Sequence, residues 1–206
     1  MLSDLQRRVA AVLSDLPEAS GFVLAGGGAL IAHGDVDRLT RDLDFFTVEP
    51  AQVDELLPVL EPALRAWGWE VIEERVAAGF ARLVVVDGGE RTGVDLASDA
   101  RLLPAEPSEL GLILSTEELA VDKVLAVFGR AEARDFVDLA ALEPRFGLEH
   151  LCQLATAKDG GFRRSVLLEM LSRFDRLPRD EFDVDDKGFE SIVESVRRWR
   201  LALCAE

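Results

Sequence analysis

Hydrophobic periodicity changes once along this chain of 206 residues, and that change constrains the fold more than any other feature. Up to about residue 115, short strand-like apolar runs alternate with amphipathic helical patterns. Beyond it, apolar residues recur at three- and four-residue spacings. Side chains repeat their direction every two residues in a strand and about every 3.6 in a helix, so one segment cannot satisfy both patterns. The chain therefore reads as α+β: a mixed β-sheet lobe with flanking helices over 1–115, then an all-helical lobe over 116–206.

Within the front lobe, Leu5, Val9, Val12, Leu13 and Leu16 fall on one face of a helix over 3–16, with Ser3 as its cap and Pro17 as its stop. Gly21 to Ala25 suits a buried strand. Gly26-Gly27-Gly28 breaks it, and Ala29 to His33 begin a helix that ends near Gly34. Asp42 to Val48 reads as a second strand, closed by Pro50. Residues 51–66 fit a helix on Val53, Leu56, Leu57, Leu60 and Leu64, which Pro58 and Pro62 should kink or interrupt. Strand-like runs follow at 69–75, 80–86 and 91–97, the last two joined by a turn at Asp87-Gly88-Gly89-Glu90. Residues 98–115 read as a loop with one apolar run, Leu110 to Leu114. Helices are placed near 117–129, 132–143, 148–157, 162–174 and 188–203. The first is capped at Thr116, with Glu117 and Glu118 in the turn where the dipole favours them.

Composition narrows the class. Hydrophobic residues at 49% and charged residues at 30% suit a folded soluble protein. The net charge of −16 argues against a general nucleic-acid binder, which needs a basic face. A local basic surface stays open, because Arg163, Arg164, Arg173, Arg176, Arg179, Arg197, Arg198 and Arg200 crowd the last quarter. Cys152 and Cys204 fit neither a metal cluster nor a disulfide framework. No signal-peptide pattern or bilayer-length apolar run is present. The expectation is a reduced, cytoplasmic protein without a membrane partner.

Three motifs bear on chemistry. The glycine triplet between strand and helix is either a tight turn or a place where backbone N–H groups approach an anion. It is neither G-x-G-x-x-G nor a P-loop. Asp42-Leu43-Asp44 in a strand puts both carboxylates on one face and Leu43 on the other. Such a pair is either solvated on an edge strand or the seat of a hard cation shared with substrate phosphates. Phe45 and Phe46 argue against an exposed edge. Asp95, between Val94 and Leu96, either points to water from an edge or completes a three-carboxylate metal site beside the Asp42 strand. Of the 23 basic residues only Lys123, Lys158 and Lys187 are lysines. Lys123 lies in an apolar helix, so its ammonium either snorkels to water or meets an anion. Arg134 and Asp138 are spaced for a helix ion pair, in the less favourable order.

The run LAGGGALIAHG, followed by Thr40-Arg41-Asp42-Leu43-Asp44-Phe45-Phe46, resembles the start of the AbiEii-type nucleotidyltransferases of the DNA polymerase beta superfamily, which include the mycobacterial MenT-type toxins. Asp122-Lys123-Val124-Leu125-Ala126 is similar to that family's lysine helix, and Arg134-Asp135-Phe136-Val137-Asp138-Leu139 to its R-D-x-x-D-[LI] motif. The resemblance spans residues 20 to about 145.

It implies a nucleotidyltransferase-type fold. It also implies transfer of NMP from an NTP substrate to an acceptor, with release of pyrophosphate. In this reading Gly27 and Gly28 hold the triphosphate, helped by Thr40, Lys123 and Arg134. Asp42 and Asp44 bind Mg²⁺ (or Mn²⁺), Asp95 completes the triad, and Asp138 or Asp135 orients base, ribose or acceptor. The implied acceptor is RNA, notably the 3′ end of tRNA, and the implied partner is a cognate antitoxin protein. Thr40 is either a turn residue or a phosphorylation site whose added charge would oppose nucleotide binding. An aminoglycoside-type small-molecule nucleotidyltransferase and a non-catalytic nucleotide- or partner-binding protein remain as alternatives.

Overall fold

The computed structural model describes residues 1–204. They form two compact units, one over Met1–Ser115 and one from Thr116 onward.

The front unit begins with helix α1 (Asp4–Ser14), whose capping box joins the Ser3 hydroxyl to the Gln6 N–H and the Gln6 side chain to the Ser3 N–H. Strand β1 (Val23–Ala25) runs into helix α2 (Gly26–His33). Strand β2 (Asp42–Thr47), helix α3 (Ala51–Arg65) and strands β3 (Glu70–Ala77), β4 (Phe80–Asp87), β5 (Glu90–Ser98), β6 (Glu106–Ser108) and β7 (Gly111–Ile113) follow. They make a seven-stranded sheet in the order β3-β4-β5-β2-β1-β7-β6. The β2–β5 and β1–β7 pairs are parallel, and the other pairs are antiparallel.

The side-chain alternation of β2 divides the sheet into two faces. Leu43, Phe45 and Thr47 are buried, whereas Asp42, Asp44 and Phe46 are only partly so. On the buried face Leu43 and Phe45 join Leu83, Val85, Val94 and Leu96. Helices α1 and α3 pack on the sheet, bringing Leu5, Val9 and Leu13 from one and Val53, Leu56, Leu60 and Leu64 from the other. Each such side chain contributes about 1.5–3 kcal/mol on burial. This core fixes β2 in the middle of the sheet and turns its aspartates to the opposite face.

Three local expectations are corrected. The glycine triplet forms the first turn of α2 instead of preceding the helix. Helix α3 runs unbroken through Pro58 and Pro62. Both prolines are on its exposed side, where water can satisfy the carbonyls that lack an N–H partner. The 98–115 segment is a short hairpin, β6–β7, that extends the sheet through the Leu24–Ile113 register. Three-residue strands are too short to display a period of two, and Pro107 sits on an edge strand, where proline is tolerated.

The helical unit contains α4 (Thr116–Gly129), α5 (Ala133–Phe146), α6 (Leu148–Lys158), α7 (Arg164–Leu171) and α8 (Asp186–Cys204). The helix expected over 162–174 gives way after Leu171 to a 3-10 turn over Ser172–Arg176. That turn carries Phe174 into contact with Phe136, Phe182 and Phe189 at centroid separations of 5.3, 5.2 and 5.8 Å. The side chain of Lys158 on α6 is buried and bonds to Glu118 at 2.7 Å and to Asp122, both on α4. Cys152 and Cys204 are free thiols. No helix among the described residues is long and apolar enough to cross a membrane.

Candidate active site

The partly open sheet face carries the expected aspartates. Asp42 and Asp44 project from it at positions i and i+2 of β2, and Asp44 is in register with Asp95 on the adjacent parallel strand. Gly93 stands opposite Asp42. A Cβ on Gly93 would overlap the Asp42 carboxylate, and one on Gly26 would overlap that of Asp44. Gly26 also has φ +56°, a backbone that L side chains rarely adopt. Both carboxylates thus occupy room that glycines leave. Sequence reading valued the triplet for anion contact and attached no role to Gly93; its place beside an aspartate became visible only with the β2–β5 register.

Asp95 also has a basic partner on its other side. Arg82 of β4 pairs with Asp95 across the antiparallel β4–β5 ladder. It donates from Nε to Oδ1 and from Nη2 to Oδ2, both at 2.6 Å. Both Asp95 oxygens are thus engaged in a two-pronged fork. Among the described residues no group of three His, Cys, Asp or Glu side chains is gathered to hold a metal ion. Asp42 and Asp44, two carboxylates on one face, are donors of the kind that a hard cation shares with substrate phosphates. Hydrogen bonding to Asp95 raises the Arg82 pKa against partial desolvation, and the charges of Asp95, Asp42 and Glu74 add to the shift. Sequence reading missed Arg82, although a charged residue between Ala81 and Leu83 in an apolar run is the same signal that singled out Asp95.

A cleft of about 520 Å³ adjoins Asp42, lined by Arg41, Arg82, Arg91, Glu74, Thr92 and Gly93 among others. On the glycine side, Arg38 and Thr40 lie over Gly27. A Cβ there would come within 2.8 Å of Arg38 Nη2 and 3.2 Å of Thr40 Oγ1. The Thr40 hydroxyl donates to the Asp42 carbonyl at 3.1 Å, so it anchors the entry to β2. Gly28 faces Leu24 and Leu43, on the core side of the turn.

The remaining motif residues belong to the helical unit. Lys123 on α4 is buried, and its ammonium lies 2.8 Å from Asp138 Oδ2 and 3.9 Å from Asp135 Oδ1 on α5. Both aspartates are fully buried. Asp135 takes a fork from Arg130 at 2.9 and 2.8 Å and accepts the Glu132 N–H, closing the capping box of α5. Arg134 pairs with Glu132 at 2.9 Å rather than with Asp138. The i, i+4 pair suggested by spacing is replaced by Lys123–Asp138, because α4 supplies a buried ammonium to a fully buried carboxylate. The C-terminal arginines are largely engaged. Arg164 bonds Glu149, Arg179 Asp186, Arg198 Glu143 and Arg200 Asp175, and Arg173 bonds the Arg130 carbonyl.

The sheet order and helical second unit define the fold of a nucleotidyltransferase. Two solved structures share it: JHP933 from Helicobacter pylori, at TM-score 0.60 and 19% identity over 98% of this chain and 95% of that one, and a candidate nucleotidyltransferase from H. pylori, at TM-score 0.60 and 18% identity over 98% and 97%. The chain belongs to the AbiEii family, the nucleotidyl transferase AbiEii toxins of type IV toxin–antitoxin systems, whose profile matches residues 7–198. It is accordingly a nucleotidyltransferase of a toxin family. No curated protein matches the chain.

Proposed function

We propose that this protein transfers a nucleoside monophosphate from an NTP to an acceptor hydroxyl, with a divalent cation seated on Asp42 and Asp44. The observation that carries this reading is the pair itself: two carboxylates on one sheet face, each in space left by a glycine. Mg²⁺ or Mn²⁺ there would supply Lewis-acid stabilisation of phosphoryl oxygens and help to activate the acceptor. In this reading Gly27, Gly28 and Thr40 would border the triphosphate. Lys123 and Asp138 are proposed as the functional residues of the helical unit, Lys123 for phosphate charge and Asp138 for orienting substrate. Asp135 is the weaker candidate, since its oxygens serve Arg130 and the α5 N-terminus, and Arg134 serves Glu132. The acceptor in this reading is RNA, at the 3′ end of tRNA, and toxicity is countered by a cognate antitoxin in the cytoplasm.

The test is incubation of wild type and Asp42→Asn protein with each α-³²P-labelled NTP, Mg²⁺, total RNA and a cationic aminoglycoside. Label on RNA from the wild type alone supports the proposal. Label on the aminoglycoside moves the acceptor to a small molecule. Equal absence of label from both proteins sinks it in favour of a binding role.

A further inference from the structure

The open sheet face continues past Asp42 on the side away from the glycine turn. In the sheet order, β1 and the glycine turn at its end lie on one side of β2, and β5, β4 and β3 lie on the other. The cleft of about 520 Å³ is lined from that second side by residues of β5, β4 and β3, with Arg41 and Asp42 where β2 begins. We propose, on the basis of the metal-dependent transfer reading above, that this cleft is the acceptor subsite. Arg41 and Arg91 hold backbone phosphates of an RNA strand there, which makes the acceptor a polyanion and not a cationic small molecule.

Three observations combine here. The first is direction. In-line displacement needs the attacking and leaving oxygens on opposite sides of the phosphorus. With the triphosphate at the glycine turn, the acceptor hydroxyl approaches Asp42 from the β5 side, where the cleft opens. The second is charge. Three arginines line the cleft, Arg41, Arg82 and Arg91, against the carboxylates of Asp42 and Glu74. In a chain of net charge −16 this is a local reversal of sign. A guanidinium matches a phosphate in charge and in its planar set of donors, whereas a polycationic acceptor meets repulsion. The third is access. Arg41 is exposed. The Arg91 side chain is 71% exposed, and its ion pair with Glu74 spans 3.7 Å, beyond hydrogen-bond distance. Arg91 precedes Gly93 by two residues on β5, so it projects from the sheet face on which Gly93 leaves room for the Asp42 carboxylate. Arg82 adds charge to the cleft from its place beside Asp95.

Binding of RNA and binding of the nucleotide's phosphates are measured separately on the full chain. The double variant Arg41→Gln, Arg91→Gln alters two exposed side chains, so the fold should persist; circular dichroism checks that it does. Arg197→Gln, exposed on α8, is the control. Filter binding of labelled total tRNA is titrated against salt, and binding of Mn²⁺-tripolyphosphate is followed by calorimetry. The double variant should weaken tRNA binding by about tenfold at low salt. It should also flatten the slope of log affinity against log salt by about 1.4, two phosphate contacts at about 0.7 each. Mn²⁺-tripolyphosphate should bind within about twofold of wild type, and Arg197→Gln should change neither measurement. A tRNA affinity and slope equal to wild type would overturn the proposal and leave metal-dependent transfer standing. A loss of Mn²⁺-tripolyphosphate binding as large as the loss of tRNA binding would do the same, because it assigns the arginines to the nucleotide. Label carried by wild type to an aminoglycoside and not to RNA would also overturn it. Wild type that transfers no label to any acceptor would overturn the transfer reading, and the acceptor role with it.

Discussion

At the scale of single residues, the two units place their charges differently. Asp42 and Asp44 are partly exposed on an open sheet face, so losing one carboxylate should spare the fold. Asp42→Asn and Asp44→Asn are expected to lower nucleotide transfer by about a thousandfold or more, with thermal midpoints within a few degrees of wild type. Chelation of metal by EDTA should give the same loss, restored by Mg²⁺ or Mn²⁺. Transfer that persists in EDTA would contradict a metal on this pair. The Lys123–Asp138 pair is the opposite case, at 7% and 0% side-chain exposure. Asp138→Ala leaves a buried ammonium, with Asp135 as a more distant carboxylate at 3.9 Å, and should cost about 3 kcal/mol of stability. The double variant Lys123→Met, Asp138→Leu should recover most of that stability in urea denaturation, because apolar pairs often replace buried ion pairs without loss. It should not recover transfer. Recovery of both would make the pair purely structural.

At the scale of elements, β5 and α2 matter through what they lack. Gly93 in β5 has no side chain in the space that the Asp42 carboxylate fills. Gly93→Ala is expected to displace that carboxylate, lowering transfer at limiting metal by about tenfold or more and stability by about 1–3 kcal/mol. Raising the metal concentration should recover part of the activity. An unchanged metal dependence would show that Asp42 can move freely. Gly89, with open space around a Cβ, is the control. The same scale shows what could be read in advance. The β2 alternation, Leu43 in the core and the caps of α1 were legible from local pattern. Pro58 and Pro62 misled, because a proline's effect depends on whether its freed carbonyl meets water, which only burial reveals. The β6–β7 hairpin was hidden, because its pairing with β1 is non-local and its strands are shorter than the period that would announce them.

At the scale of the whole molecule, charge sets the terms of any encounter with RNA. A net charge of −16 repels a polyanion at long range. Several C-terminal arginines that would offset it are tied to carboxylates within the helical unit. If RNA is the acceptor, recognition must rest on few phosphate contacts. The logarithm of apparent RNA affinity should then fall with the logarithm of salt at a slope no steeper than about −2, the value for about three neutralised phosphates on a single strand. Screening of the repulsion flattens it further. A slope near −5 in filter-binding titrations would require a basic surface of a different order.

By itself, the sequence determined the order of elements, the change from sheet to helices near residue 115, and the pairing of Asp42 with Asp44 on one face. All of these follow from short-range periodicity. Only the tertiary structure decided which charges meet. Asp95 went to Arg82, Lys123 to Asp138, Asp135 to Arg130 and Arg134 to Glu132, because strand register and helix packing join residues that no local spacing relates. The aspartate pair is thus legible in the chain, while the glycines beside it and the partner of Asp95 are products of the folded sheet.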